Sequence, residues 1–487
     1  MEQITKWITQ INDVVNGFVW GPIMLVVFLA VGLMFTVRTG FFQVTHIKLW
    51  MNATFISIFK KKDVRRTKDK ASISQFQALA TALAATVGTG NIAGVATAIA
   101  LGGPGAVFWM WLSAFLGMMT NYAENTLGIR YRYRNEKGNW VGGAMIYIER
   151  GLGWKWLAVI FSIFCLMASF GIGNMTQVNS IAQAMDTSFS VPQLATGIVI
   201  AVLVGLVIVG GIKRIASVTE KIVPFMVIAY LVGGLACIVV HAEQILPALK
   251  LIFTEAFSMQ SAAGGVAGYG MMLAVKRGIS RGVFSNEAGL GSSVMVHSAS
   301  NVKEPVVQGM WGVFEVFADT IIVCTITALV VLTSGVYDIG AYASELAATG
   351  DITVLPNGVA LTSAAFSQTF GQWGGMFISI ALMLFAFSTI LGWSYYGERA
   401  VEYLFGLRAV PVYKVIFSAF VIVGAVSSLN LVWDISDTFN GLMAIPNLLA
   451  VTLLSPQVIR MTRDYLQRLK TGEPTPSYQP EESVKTK

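Results

Sequence analysis

The chain has 487 residues, of which 55% are hydrophobic and only 12% are charged, and its mean hydropathy is +0.66. A soluble globular protein carries about 25% charged residues, so the composition excludes a water-soluble enzyme, a disordered chain and a disulfide scaffold. The net charge of +7 does not indicate nucleic-acid binding, because the basic residues lie in short loops between apolar blocks.

The apolar blocks are long enough to span a membrane as helices, since one span needs about 20 apolar residues. The alternating pattern of a β-barrel is not seen, and the sequence therefore predicts an all-α, polytopic membrane protein. Cys165, Cys237 and Cys324 all lie inside apolar blocks without a CxxC or Cys/His cluster, which argues against a zinc site or a disulfide framework. The start, MEQITKWITQ, does not resemble a cleaved signal peptide.

In chain order, the pattern predicts about eleven spans, the first of them near 17–39. A basic amphipathic stretch follows, HIKLWMNATFISIFKKKDVRR, and is predicted to lie along the membrane surface. The other spans are predicted near 74–101, 104–130, 155–186, 192–211, 217–241, 257–280, 307–334, 372–402, 411–430 and 434–459. The end of the chain, TGEPTPSYQPEESVKTK, is polar and is predicted to be disordered.

The basic residues alternate between loops, which sets an orientation. They are Lys48, Lys60, Lys61, Lys62, Arg65, Arg66, Lys68 and Lys70, then Arg130, Arg132, Arg134 and Lys137, then Lys213 and Arg214, then Arg281 and Lys303, then Arg408, and finally Arg463, Arg468 and Lys470. The intervening loops hold almost none, with Lys250 as the main exception. Because cytoplasmic loops carry the excess of Lys and Arg, we predict an external N-terminus and a cytoplasmic C-terminus in a bacterial-type plasma membrane.

Without the first span, ten remain, and the second five would begin with the opposite orientation to the first five. Two inverted halves are a common plan of transporters. We therefore divide the chain into an N-terminal helix with a basic segment (1–73), a first five-helix repeat (74–242), a second, inverted repeat (243–462) and a cytoplasmic tail (463–487).

Two predicted spans contain glycine clusters, GTGNIAG at 88–94 and GGVAGYGM at 264–271. Unpaired backbone is tolerated at membrane depth only where it faces protein or a polar cavity, and a matched pair of broken helices indicates a transporter binding site. The alternative is close helix packing, since Gly90 and Gly94 form a GxxxG pattern. A dinucleotide loop is excluded, because the spacing is GxGxxxG and no βαβ unit surrounds it.

Several motifs resemble those of the alanine/glycine:cation symporter family. They are GTGNIAGVATAI at 88–99, GGPG at 102–105, FWMW at 108–111, GIGNMTQVNS at 171–180 and RGVFSNEAGLGS at 281–292. The resemblance implies a leucine-transporter-like fold of ten core helices in two inverted repeats, with one extra N-terminal helix. It also implies sodium-driven uptake of a small neutral amino acid, usually alanine or glycine, with serine or glutamine in some members.

An amino acid substrate needs N–H donors for its carboxylate and oxygen acceptors for its ammonium group. Thr89, Gly90 and Asn91 would supply both at the first break. Gly268 and Met271 belong to the second cluster, and the resemblance implies that Met271 lies against the substrate side chain.

Two further spans offer polar candidates. Asn174 and Gln177 share a helix face by their spacing and are expected to contact substrate, although hydrogen bonds between helices are the alternative. Thr389 and Trp393 also share a face, and the resemblance implies that they line the pocket, with the tryptophan closing it. For Trp393 the alternative is a place in the interfacial aromatic belt.

Sodium requires hard oxygen ligands, and no acidic pair lies beside the breaks. Analogy with the fold implies a sodium site made by Ala85 and Gly88 together with Ser388 and Thr389. Charged residues inside a membrane are functional candidates. Glu287 is therefore expected to pair with Arg277 or Arg281 as a cytoplasmic gate or as a static anchor. Asp319 is expected either to bind an ion or proton or to form a structural hydrogen bond.

The sequence thus predicts a sodium-coupled amino acid symporter whose partners are a small neutral amino acid and the lipid bilayer. A proton-coupled symporter and a channel are the alternatives. A membrane enzyme is not indicated, because an HExxH motif does not occur. The only cofactor expected is Na⁺ as the coupling ion. An organic cofactor, nucleic acid or an obligate protein partner is not indicated.

Overall fold

The computed structural model describes residues 2–69, 71–258, 270–427 and 430–473. The first part of the chain forms α1 (Glu2–Val19), α2 (Pro22–Arg38), α3 (Phe42–Thr45), α4 (Ile47–Ala53), α5 (Phe55–Lys60), α6 (Lys62–Arg65), α7 (Gln75–Thr86), α8 (Val95–Gly102), α9 (Gly105–Tyr131), α10 (Ala144–Leu152), α11 (Lys155–Phe170), α12 (Thr176–Phe189), α13 (Gln193–Ile208) and α14 (Gly211–Val240). Strands β1 (Tyr133–Arg134) and β2 (Trp140–Val141) form a short antiparallel hairpin in the loop after α9.

The second part forms α15 (Ile245–Glu255), α16 (Met271–Asn286), α17 (Val294–His297), α18 (Pro305–Val316), α19 (Thr325–Thr333), α20 (Ile339–Thr349), α21 (Val359–Phe370), α22 (Gln372–Phe405), α23 (Val410–Val426), α24 (Asn430–Leu453) and α25 (Ser455–Thr471). Three segments have π-helical hydrogen bonding, Gly90–Gly94, Gly171–Met175 and Phe317–Cys324, and Ala242–Gln244 is a 3₁₀ turn. Short π segments inside helices are frequent at functional sites.

Five of the described helices are apolar and long enough to cross a membrane, which confirms the all-α membrane fold: Thr9–Arg38, Lys155–Phe189, Gly211–Val240, Pro305–Thr333 and Gln372–Phe405. Two bent pairs, Gln75–Thr86 with Gly90–Gly102 and Asp434–Leu453 with Ser455–Thr471, are also long enough when each pair is taken as one span. Gln193–Ile208 and Val410–Val426 are shorter apolar helices. The total of eleven spans and the two-repeat division stay predictions.

Helix α9 lies at the centre of the molecule and is buried along most of its length. It packs closely against α16 and α18, because both present glycines to it. A Cβ on Gly278 would overlap the carbonyl oxygen of Ala106, and a Cβ on Gly312 would overlap the Asn125 side chain. Small residues at such contacts let helix backbones approach, which is the main way that membrane helices pack.

The second predicted break, at 264–271, lies mostly in residues 259–269, which are outside the described residues, and it stays a prediction. Helix α16 runs without interruption from Met271 to Asn286, so Arg281 lies within a helix and not in a loop. A further interruption follows at 287–293, where Glu287, Gly289 and Gly291 have positive φ angles of 57°, 95° and 72°. A helix cannot continue through left-handed residues, so α16 ends before the motif NEAGLGS is complete.

The segment from 334 to 371 lies between two predicted spans and was given no secondary structure assignment from the sequence. It contains α20 and α21. Its turn is held by Glu345, whose carboxylate accepts hydrogen bonds from the backbone N–H groups of Thr353 and Leu355 at 2.7 and 3.1 Å. The hydroxyl of Thr362 donates to the carbonyl of Ile92 at 2.9 Å. The segment thus folds back and contacts the first broken helix.

Candidate functional site

The first glycine cluster forms a true break in a helix. Ser74 and Gln77 form a reciprocal capping box that starts α7, with hydrogen bonds of 3.1 and 3.0 Å. The helix ends at Thr86, and the chain resumes as a π segment and α8 at an angle of 51° to α7. Within the break, the N–H of Gly88 donates to Asn91 Oδ1 at 2.9 Å. The Asn91 side chain therefore satisfies a backbone donor that the break leaves unpaired.

The break packs directly against α22. A Cβ on Gly88 would overlap Thr389 Oγ1, and a Cβ on Gly392 would lie 2.9 Å from the Cα of Ala85. Ser388 Oγ donates to the carbonyl of Ala84 at 3.3 Å. The structure thus brings Ala85 and Gly88 together with the Ser388 and Thr389 region, which is the arrangement that the sodium-site prediction requires.

A small cavity lies at this contact, with a volume of about 10 Å³. That is room for about one water molecule, so an amino acid fits only after the walls move apart. The cavity is lined by Ala85, Thr86, Gly88, Thr89, Gly90, Ile172, Gln177, Phe284, Glu287, Thr389, Trp393 and Asn440. These residues come from the first break, the π segment before α12, the end of α16, α22 and α24, so all parts of the core meet here.

Three buried oxygen atoms of the cavity have no hydrogen-bond partner within the described part of the chain. They are Thr89 Oγ1, Gln177 Oε1 and Asn440 Oδ1. Burying a polar atom without a partner costs about 1–3 kcal/mol, and three such atoms around one cavity indicate a site for a polar ligand. The amide oxygens only accept hydrogen bonds, so they suit an ammonium group or a cation.

Five of the predicted substrate residues line this cavity: Thr89, Gly90, Gln177, Thr389 and Trp393. Trp393 is 2% exposed and is not an interfacial belt residue. A Cβ on Gly173 would overlap Trp393, so this glycine allows the indole to pack at the cavity wall.

Other predicted substrate residues lie elsewhere. Asn91 turns away from the cavity and donates to Asp319 Oδ1 at 2.7 Å. Asn174 donates to the carbonyl of Phe417 on α23 at 2.8 Å, because the π segment changes the angular spacing that a regular helix would give it relative to Gln177. Met271 begins α16, thirteen residues and about 20 Å of helix before Phe284. Gly268 lies outside the described residues.

Sequence reasoning missed Thr86, Ile172, Phe284 and Asn440 as cavity residues. Ile172 belongs to the motif GIGNMTQVNS and Phe284 to the motif RGVFSNEAGLGS, so the motifs were the available signal for both. Asn440 is a buried amide in a predicted span, which is a signal of function in membrane proteins.

The expected Arg277–Glu287 gate pair is not formed. The two residues are ten positions apart, about 15 Å along a helix, and no ion pair between them is present in the described part of the chain. Glu287 lines the cavity and accepts a hydrogen bond from Ser292 at 2.5 Å.

Asp319 joins the first break to two other elements. Its carboxylate accepts hydrogen bonds from Asn91 Nδ2 at 2.7 Å, from Ser285 Oγ at 2.8 Å and from Thr320 Oγ1 at 2.7 Å. The side chain is fully buried. Of the two roles weighed from the sequence, the structure shows the structural hydrogen bonds, which fix Asn91 and therefore the geometry of the break.

Glu124, Glu287, Glu315 and Asp319 are all buried inside the core. Among the described residues, only Glu315 has a basic partner, His297 Nε2 at 2.9 Å, and Asn121 Nδ2 adds a bond at 3.2 Å. The others accept hydrogen bonds from neutral side chains: Glu124 from Asn447, Glu287 from Ser292, and Asp319 from Asn91, Ser285 and Thr320.

Comparison with known proteins agrees with this geometry. The sequence model of the sodium:alanine symporter family matches residues 5–479. The sodium/alanine symporter AgcS of Methanococcus maripaludis is 45% identical over 93% of this chain and 96% of its own length. The probable sodium/glutamine symporter GlnT of Bacillus subtilis is 36% identical over 97% of this chain and 93% of its own. Among solved structures, MhsT in complex with L-phenylalanine superposes with a TM-score of 0.54 at 14% identity, covering 81% of this chain and 99% of that one.

Proposed function

Because the chain belongs to the sodium:alanine symporter family, we propose that it takes up a small neutral amino acid, alanine or glycine, by sodium-coupled alternating access. The family and its relatives are transporters, and the fold is that of leucine-transporter-like carriers. The chain is thus a multi-pass membrane transporter. Its substrate, its coupling ion and its orientation, with the N-terminus outside and the C-terminus cytoplasmic, are the proposed part.

The observation that carries the proposal is the small cavity at the first break. It combines two kinds of partner that an amino acid needs. The half-helix that starts at the break directs N–H groups and the positive end of its dipole toward a carboxylate. The unpartnered oxygens of Thr89, Gln177 and Asn440 suit an ammonium group.

The walls of the cavity favour a short side chain. Ile172, Phe284 and Trp393 supply the apolar surface, and Trp393 is fixed by packing over Gly173. With little free volume in the cavity, each added methylene has to displace one of these groups. Alanine and glycine therefore fit this cavity better than a long side chain such as that of glutamine.

The sodium ion is proposed to bind between Ala85, Gly88, Ser388 and Thr389. Carbonyl and hydroxyl oxygens suit a hard alkali cation, and the break packs against the part of α22 that carries the two hydroxyls. The second candidate is proton coupling. The buried carboxyl of Glu287 favours it, because this group lines the same cavity.

Uptake of labelled alanine into proteoliposomes tests the function. One sodium ion entering down 100 mV releases about 2.3 kcal/mol, which supports roughly fiftyfold accumulation of a neutral solute. We expect accumulation with an inward sodium gradient and none with a pH gradient alone. Equal uptake in sodium-free buffer driven by pH would transfer the assignment to proton coupling.

A further inference from the structure

A second, larger cavity of about 810 Å³ lies away from the substrate site, at the end of the helix bundle. It opens between the last turn of α13, the first turn of α23 and the hairpin loop after α9. Helices α13 and α23 are short and apolar, and the basic loops after α9 and α13 lie at this end, so we place this end of the bundle at the lipid headgroups.

The lining of this cavity is basic. Lys137, Lys213, Arg399 and Lys414 contribute to it, and Glu398 is the one acidic side chain in the lining. Lys414 pairs with Glu398 at 2.9 Å, and Arg399 contacts Glu398 at 2.6 Å. Arg399 also pairs with Glu402, which does not line the cavity.

One buried group in the lining is incompletely satisfied. Arg399 is only 5% exposed, yet its Nε has no hydrogen-bond partner within the described residues. Lys137 is exposed at the mouth and takes part in none of the ion pairs of the described chain. Both features suit an anionic ligand, because phosphate oxygens accept hydrogen bonds from guanidinium and ammonium groups.

The other wall of the cavity is apolar and continues onto the outer face of the bundle. Val209 and Val415 line the cavity and are 74% and 71% exposed. Beside them, Leu206 and Val412 are 56% and 60% exposed. A small hydrophilic anion would leave these side chains uncovered, whereas a lipid places acyl chains against them and its phosphate against the lysines.

We propose that this cavity binds the headgroup of an anionic phospholipid from the leaflet on the side of the basic loops. Basic pockets between membrane helices recognise such headgroups. The site is connected to transport by α22, a continuous helix that carries Thr389 and Trp393 at the substrate cavity and Arg399 here. A bound lipid would hold the end of the helix that closes the substrate site.

The test is a lipid-binding titration on the purified full-length protein in detergent, followed by native mass spectrometry. We expect dioleoylphosphatidylglycerol to bind at least tenfold more tightly than dioleoylphosphatidylcholine. Removing one lysine near an anionic membrane surface lowers the affinity about fivefold. The double variant Lys137→Gln/Lys213→Gln should therefore bind phosphatidylglycerol roughly thirtyfold more weakly. Phosphatidylcholine binding should not change.

The matched control is Lys48→Gln/Lys303→Gln, which removes two exposed lysines outside the cavity and should leave lipid binding unchanged. The double variant Lys137→Arg/Lys213→Arg should retain it, and thermal unfolding checks that all variants are folded. Equal wild-type binding of the two lipids, or an equal loss in the control, would overturn the proposal. So would displacement by glycerol phosphate at the same concentration as lipid, which would identify a soluble anion as the ligand. Because the readout is binding and not uptake, the result is independent of the transport assignment.

Discussion

Thr389 of α22 occupies the space that a side chain on Gly88 of the first break would need. The contact explains why this position is glycine, because even a methyl group would push the two helices apart. It also places the Thr389 hydroxyl, which donates to the carbonyl of Phe385 at 3.0 Å, against the backbone of the break at Gly88. This is the geometry from which the sodium site is proposed.

Replacing Thr389 with valine tests that site. Valine keeps the shape but removes the oxygen, so we expect the sodium concentration for half-maximal uptake to rise about tenfold, because the loss of one ligand to a charged group costs about 1.5–3 kcal/mol. The matched control is Thr333→Val on α19, where the hydroxyl makes the same kind of backbone bond, at 2.7 Å to Leu329. Sodium dependence that is identical in both variants would remove Thr389 from the ion site.

Gln177 and Asn174 provide a second matched pair, because they lie close together in sequence but differ in environment. Gln177 lines the cavity with an unpartnered oxygen, whereas Asn174 holds α23 through Phe417. Gln177→Leu should raise the KM for alanine about tenfold to a hundredfold, the cost of a lost hydrogen bond to a charged group. Asn174→Leu should lower the Tm and leave the KM nearly unchanged. If instead Asn174→Leu raises the KM and Gln177→Leu only lowers the Tm, Asn174 contacts the substrate and Gln177 does not.

These two residues also show how far sequence reasoning reached. The first break was found because glycines in an apolar span have a clear physical meaning, and five residues of the cavity followed from it or from the motifs. The direction of Asn174 toward α23 could not be predicted, because a π segment is not visible in spacing alone. The predicted break at 264–271 lies mostly outside the described residues. The interruption at 287–293 was not predicted, because Glu287, Gly289 and Gly291 form a less dense cluster and only their positive φ angles reveal it. Asn440 comes from a helix that is distant in sequence, and the local sequence does not predict that its side chain lines the cavity.

Glu287→Gln distinguishes the two coupling ions. The amide keeps the size of the side chain and can still accept the hydrogen bond from Ser292, but it cannot carry a proton in transport. If sodium is the coupling ion, accumulation of alanine driven by a sodium gradient persists in this variant. Under proton coupling through Glu287, accumulation is lost while exchange of labelled for unlabelled alanine continues. Measuring accumulation and exchange in the same proteoliposomes separates these outcomes.

The proposed orientation is tested with reporters at both ends. The basic residues of the loops after α9 and α13, and those of α25, are expected to face the cytoplasm. A reporter active only in the cytoplasm should therefore function when it is fused after Lys487, and a tag before Met1 should be accessible from outside intact cells. Protection of the N-terminal tag would mean that the number of spans before the first broken helix is wrong.

Size selection is expected to depend on Phe284 and not on Met271. Phe284 lines the small cavity, whereas Met271 lies about 20 Å earlier along the same helix. Phe284→Ala should enlarge the cavity and shift preference toward longer neutral side chains such as glutamine. The shift should be modest, because a methylene in an apolar pocket discriminates by about 1–3 kcal/mol, or 10- to 200-fold. Met271→Ala is the control on the same helix and should leave the ratio of alanine to glutamine transport unchanged. A larger shift in the Met271 variant than in the Phe284 variant would show that the second half of the substrate site lies nearer to 259–271 than the cavity geometry places it.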